Sequence, residues 1–322
     1  MDNTENKKSK LVVSHSPHVI SLSLSTRIMM TDVMIALLPV ISMAYYVFGW
    51  LAIKQILISA GTCLVSEFIF VGMRKKSLTL TDFSALITGV ILGLSLPAPA
   101  PWYIAVVASV TAIGLGKVIF GGLGMNIFNP AMVGRAFVMI AFASVMAASG
   151  YIDKSMSIDV MTMATPLNAF KQSGILTSCS DLIFGSINGS PGEVSGIACI
   201  LGGVYLCLRK TVSWQIPAGV IFSVLILGYL AQISGIQTGW TVLHQIFSGS
   251  LLFGAFFIAT DPVTSPLTPK GKFIFGAGVG ILIIIIRLFS GYPEGVMFAV
   301  LLMNSLTPLI NRWVKHRTMG EL

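Results

Sequence analysis

Apolar runs, each near the length of a bilayer crossing, follow one another through this chain and decide its solvent. They fall at 28–48, 51–72, 83–97, 102–120, 129–148, 193–208, 212–233, 244–259, 273–288 and 293–311. A helix that crosses the hydrocarbon needs about 20 mostly apolar residues. Only 10% of the 322 residues are charged and 55% are hydrophobic, whereas soluble domains carry about a quarter charged residues. The expected fold is an all-α polytopic membrane protein of about ten transmembrane helices. Several runs are short, so broken or tilted helices are expected among them.

The breaks carry helix-stopping residues. "LPAPAPWYI" ends one run with three prolines, and Trp102 and Tyr103 suit the headgroup level. "GGLGMNIFNPAMVG" is glycine-rich and holds Asn126, Asn129 and Pro130. "GVILGLSLPAPAP" and "IGLGKVIFGGLGMNIFNPA" in the first half resemble "FGAGVGILIIIIRLFSGYPEGVMFAVLLMNSLTP" in the second. Five spans in each half would give two repeats of opposite orientation, as in many transporter folds. The expected division is 1–27 as an N-terminal segment, 28–148 and 193–311 as membrane halves, 149–192 as the loop between them, and 312–322 as a tail.

Charge orients these spans. With the N-terminus inside, 15 of the 20 Lys and Arg lie at cytoplasmic ends, among them Lys76, Lys117, Arg209 and Lys270. The exceptions are Lys54, Arg135, Lys154, Lys171 and Arg287. The positive-inside rule therefore puts both termini in the cytoplasm and the loop 149–192 on the outer face. The net charge of +8 is explained by the same loops and needs no nucleic acid. No cleavable signal peptide is expected, because the polar start "MDNTENKKSK" is followed by a long apolar run only near Ile28.

Chemical motifs are few. There is no Walker A sequence and no HExxH, and the four cysteines (Cys63, Cys179, Cys199, Cys207) show no CxxC or metal spacing. No iron–sulfur cluster, zinc or disulfide is therefore expected of this chain alone. "GAGVG" at 276–280 lies inside an apolar run and reads as close helix packing. His15, His18, His244 and His316 read as surface or interfacial residues. Asp32, Glu67, Glu193, Asp261 and Glu294 lie in or beside spans, where an ionisable group is costly and marks a site by default. Glu193, after Pro191 and Gly192, is expected to open the sixth span.

One polar interruption differs from the rest. "DVMTMATPLNAF" (159–170) offers hydroxyls in a segment outside the bilayer, which an enzyme can reach. Pro166 makes the residue before it extended.

These stretches, with "SPHVISLSLSTRIMMTDVMIALLP", "GGLGMNIFNPAMVGRAF", "GSPGEVS", "ATDPVTSPLTPKGK" and "GYPEGVMFAVLLMNSLTPLINRW", cover nearly the whole chain in order. The chain resembles the family that holds the D subunit of the Rnf complex, the ion-translocating ferredoxin:NAD+ oxidoreductase, and the B subunit of the sodium-pumping NADH:quinone reductase. The resemblance implies a redox-driven Na+ or H+ pump subunit in the cytoplasmic membrane. It implies FMN joined to Thr165 by a phosphoester, with Asp159, Thr162 and Ala164 completing the motif that a separate flavin transferase reads. Met163 stands where a glycine is frequent in that motif. It also implies a non-covalent riboflavin, expected near Asn126 and Asn129. Its implied partners are the A, B, C and E subunits of the Rnf complex and especially the flavin-carrying G subunit. Asp32 and Asp261 are the expected ion-coupling residues. Two other readings stay open: a solute channel or secondary transporter of inverted-repeat type, and a structural membrane subunit without a cofactor.

Overall fold

The computed structural model describes residues 12–13, 19–20, 26–75, 82–147, 165–185, 187–235, 239–290 and 294–314. A two-residue antiparallel pair, β1 (Val12–Val13) with β2 (Val19–Ile20), precedes the helices. The first half is α1 (Thr26–Phe48), α2 (Trp50–Met73), α3 (Ser84–Ser95), α4 (Trp102–Ile113) continued by a π-helical turn (Gly114–Val118), α5 (Pro130–Ala141) and α6 (Ala143–Ala147). The short α7 (Pro166–Ser173) and α8 (Cys179–Phe184) lead to the second half. That half is α9 (Gly196–Leu208), α10 (Gln215–Ile233), α11 (Val242–Phe247), α12 (Leu251–Phe253) continued by a second π-helical turn (Gly254–Ile258), α13 (Pro269–Phe289) and α14 (Val296–Trp313).

Among the described residues, four helices are long and apolar enough to cross a membrane: α1, α2, α10 and α13. They present apolar residues outward as well as to the core. In α1, Ala36, Val40 and Ala44 are buried while Ile35, Leu38 and Tyr46 are exposed. A helix of that kind needs lipid around it. The remaining apolar helices are shorter. The 12 residues of α3 rise only about 18 Å, too little for a core of about 30 Å. The chain continues from α3 through Leu96, Ala98 and Ala100, all buried, before α4 begins. Irregular backbone is tolerated at that depth only where protein covers it.

The two halves pack alike. In the first, α4 lies on α2 and α5; in the second, α13 lies on α10 and α14. The halves meet through α1 against α9 and α5 against α14. The "GAGVG" stretch packs closely, as its sequence indicates. A Cβ placed on Gly276 would lie 2.3 Å from the Ile216 carbonyl oxygen of α10. Gly276→Ala is therefore expected to destabilise by about 1–3 kcal/mol through overpacking. Gly61→Ala, with nothing within 4 Å of the new methyl, is the control. Melting of the detergent-solubilised proteins separates the two, and equal melting points would remove the packing argument.

Two expectations about element boundaries are corrected. The run 244–259 is not one helix. Ser248, Gly249 and Ser250 divide it, and Gly249 adopts φ +62, a conformation suited to glycine. Nor does Glu193 open the sixth span. Ser195 caps α9 by accepting from the Ala198 N–H at 3.4 Å, while Glu193 Oε1 accepts from the Ser190 N–H at 2.8 Å and from the Ser190 hydroxyl.

Candidate functional site

The glycine-rich loop after α4 ends in Asn129 and Pro130. Proline at the first helical position and asparagine before it make a strong helix start. Asn129 Oδ1 accepts from the Met132 N–H at 3.3 Å, and its Nδ2 donates to the Ile258 carbonyl at 3.2 Å in the second π-helical turn. Its own N–H donates to Asn304 Oδ1 of α14 at 3.1 Å. Asn304 Nδ2 in turn donates to the Thr264 carbonyl at 3.3 Å. One asparagine therefore caps a helix and joins the two halves. Asn126 Nδ2 donates to the Phe128 carbonyl at 3.3 Å.

Both asparagines line a cavity with roughly 820 Å³ of space between atoms, part of it open to the surface. Its walls come from the starts of α1 and α3, the first π-helical turn, the loop before α5, the end of α9, and the second π-helical turn with the loop after it. All these lie at one end of the bundle. Asp261 is in the wall too. Its Oδ1 accepts from the Val263 N–H at 3.2 Å and its Oδ2 from the Thr264 hydroxyl at 3.2 Å. Lys117, on the first π-helical turn, adds a cation to the wall. It is 2% exposed, and its Nζ donates to Glu67 Oε1 at 2.5 Å and to Ser84 Oγ at 2.6 Å. These two bonds use two of three ammonium donors. Single π-helical turns recur at functional sites, and this cavity touches both.

Asp32 is not brought into this wall. Its carboxylate accepts from Thr211 Oγ1 at 2.9 Å, Arg209 Nε at 3.3 Å and Tyr205 Oη at 3.4 Å, which fastens α1 to the end of α9.

Thr165 lies at the opposite end. It is half-buried and caps α7, its Oγ1 accepting from the Asn168 N–H at 3.3 Å. The helix is held down by three side chains. Leu167 is buried against Gly249, where any Cβ would come within 2.7 Å of it. Phe170 packs on Trp240 with ring centroids 4.3 Å apart. Lys171 Nζ donates to the carbonyls of Arg287, at 3.2 Å, and Ser290, at the end of α13. Partial burial lowers the Lys171 pKa from its ordinary value. Asp159, Thr162 and Ala164 lie outside the described residues.

Several charges are where sequence reasoning did not look for them. Lys117 sits inside the bundle, not in a loop; its partner Glu67 is 50 positions away. Arg135 pairs with Glu294 at 3.0 Å. Arg287 is 3% exposed and donates to Gln245 and Ser248 carbonyls at 2.5 and 2.8 Å. Two exceptions to the charge rule are thus internal residues, not loop charges.

The model of the NQR2, RnfD, RnfE family matches residues 12–320. The chain belongs to that family. It is 41% identical to the D subunit of the Na(+)-translocating ferredoxin:NAD(+) oxidoreductase complex of Acetobacterium woodii, over 96% of this chain and 95% of that one. It is 39% identical to the D subunit of the proton-translocating ferredoxin:NAD(+) oxidoreductase complex of Clostridium ljungdahlii, over 98% and 97%. It is 36% identical to the D subunit of the ion-translocating oxidoreductase complex of Shewanella amazonensis, over 96% and 98%.

Proposed function

We propose that this chain is the membrane subunit of a redox-driven Na+ or H+ pump, the Rnf complex, and carries FMN covalently on Thr165. The carrying observation is the position of that hydroxyl. It caps a docked helix at the end of the bundle away from the cavity. A phosphoester there puts an anionic group at a helix N-terminus, where N–H groups and the macrodipole favour it. Asp159, Thr162 and Ala164 complete the transferase motif. In-gel fluorescence of the denatured chain under ultraviolet light tests the reading. A dark band from an active complex would favour a transporter or structural subunit without a covalent flavin.

The cavity suits a second, non-covalent flavin, read as riboflavin. Its lining is mainly apolar with a few polar groups, as ligand sites usually are. Asn126, Asn129 and Lys117 would supply amide and ammonium contacts to the ring system. Bound there, a flavin supplies one-electron transfer, while the protein supplies position and field. Electrons between ferredoxin and NAD+ would pass through the A, B, C, E and G subunits, with G the nearest flavin partner.

Asp261 is the better of the two ion-coupling candidates, because it borders this cavity while Asp32 is committed to Arg209. Asp261→Asn should lower ion uptake more than electron transfer, measured in the same vesicles. Equal losses would mark an assembly role instead.

The orientation follows the charge rule: both termini and the cavity face the cytoplasm, and Thr165 faces outward. In a background lacking the four native cysteines, Lys171→Cys should react with an impermeant thiol reagent outside intact cells, and Lys270→Cys should not. The opposite labelling would reverse the orientation.

A further inference from the structure

The helix α2 carries a polar stripe that the cavity and the flavin hydroxyl do not use. Gln55, Ser59, Cys63 and Glu67 recur every fourth residue and are 2%, 0%, 0% and 1% exposed. Four residues make slightly more than one helical turn, so the stripe winds slowly along one side over about 18 Å. It faces the seam where α2 packs on α3 and α4. Ser109 of α4, fully buried, completes it: its hydroxyl donates to the Ser59 carbonyl at 3.1 Å and it is hydrogen-bonded to Cys63.

Two polar groups in the stripe have no hydrogen-bond partner among the described residues, Gln55 Nε2 and Ser59 Oγ. A buried polar group without a partner costs about 1–3 kcal/mol, so helix packing alone would favour apolar residues at both positions. Water satisfies such groups when it finds two to four polar partners. One end of the stripe is the Glu67–Lys117 pair, and Lys117 also lines the cavity. The other end, Gln55, lies in the second turn of α2, near exposed Trp50. The stripe therefore runs from the cavity toward the opposite end of the bundle.

We propose that this seam is a proton file leading from Glu67 to Gln55. Neighbouring side chains stand about 6 Å apart along the axis, a gap that one water bridges. Each transfer breaks an O–H or S–H bond on one hydroxyl, thiol or bridging water and makes one on the next; the Gln55 amide, which has no such bond, holds the last water by hydrogen bonds. Nothing is oxidised or reduced; the proton taken by the Glu67 carboxylate leaves to water beyond Gln55. The stripe has hydroxyl, thiol and amide groups but no carboxylate between its ends. A hard cation gathers about six oxygen ligands, which this stripe does not offer, so the file suits H+ and not Na+. The inference rests on the ion-pump reading. There, negative charge arriving in the cavity competes with Glu67 for the Lys117 ammonium, and the released carboxylate takes up a proton.

The test uses the whole complex in inverted vesicles. Proton uptake is followed with a pH dye and sodium uptake with a radioactive tracer, each per NADH formed. In the double variant Gln55→Leu, Ser59→Ala the proton ratio should fall about tenfold, roughly one hydrogen bond's contribution to the barrier. Ser59→Thr, which keeps the hydroxyl, should stay near the wild-type ratio. A purely structural stripe predicts otherwise, because Ser59→Ala removes an unpartnered group and leaves melting and coupling intact. A double variant within twofold of wild type overturns the file, and so does Ser59→Thr falling as far. If wild-type vesicles take up sodium and no protons, the pump reading stands and the file fails. If they take up neither ion during electron transfer, the pump reading itself fails.

Discussion

Replacing Thr165 by valine is expected to remove all covalent flavin fluorescence from the denatured chain. Valine keeps the shape of threonine and loses only the hydroxyl to which a phosphoester attaches. The same hydroxyl caps α7, so the substitution also costs about 0.5–2 kcal/mol of local stability. That cost does not detach the helix, which Leu167, Phe170 and Lys171 hold independently of the cap. The variant should therefore reach the membrane in normal amounts. Thr165→Ser, which restores an acceptor, should fluoresce again. A bright Thr165→Val band would assign the flavin to another hydroxyl.

Lys117→Met should cost about 3–5 kcal/mol, the usual penalty for leaving one charge of a buried pair unmatched. Lys117 and Glu67 are 3% and 2% exposed at their side chains and 2.5 Å apart. Glu67→Gln alone should be similarly damaging, because it strands the ammonium. The double variant Glu67→Gln, Lys117→Met carries no buried charge and should recover most of the loss. Thermal melting of the solubilised protein reads the cycle. Additive losses would show that the two groups act separately.

Much of the architecture is legible in the sequence because lipid imposes a simple rule. Apolar runs must become helices, and the ends at Pro97 and in the glycine-rich loop from Gly121 follow from residue type alone. Gly276 could be read as a contact residue for the same reason. What escaped is tertiary. The Ser-Gly-Ser in "HQIFSGSLLFGAFF" is a turn signal inside an apolar run, but the contact of Gly249 with Leu167 of a distant helix is not legible there. Lys117 reads as a loop cation until Glu67 is brought to it across 50 positions. Asn129 could be read as a helix cap, but its bonds to Ile258 and Asn304 depend on the second half being in place. The stripe on α2 is visible in the sequence only as four separate residues; the packing of α3 and α4 makes it continuous.

The length of α13 limits how a charge at one site is felt at the other. Asp261 sits a few residues before α13 begins, and α7 docks where it ends. With 21 residues the helix is about 30 Å long. At that separation and an effective dielectric of about 20, a unit charge contributes only about 0.6 kcal/mol. Such a field changes an ion's affinity less than about threefold. A flavin on Thr165 cannot by its own charge load or unload a group beside Asp261. An electron must reach the cavity, or a packed helix must shift, before the far end registers the reaction.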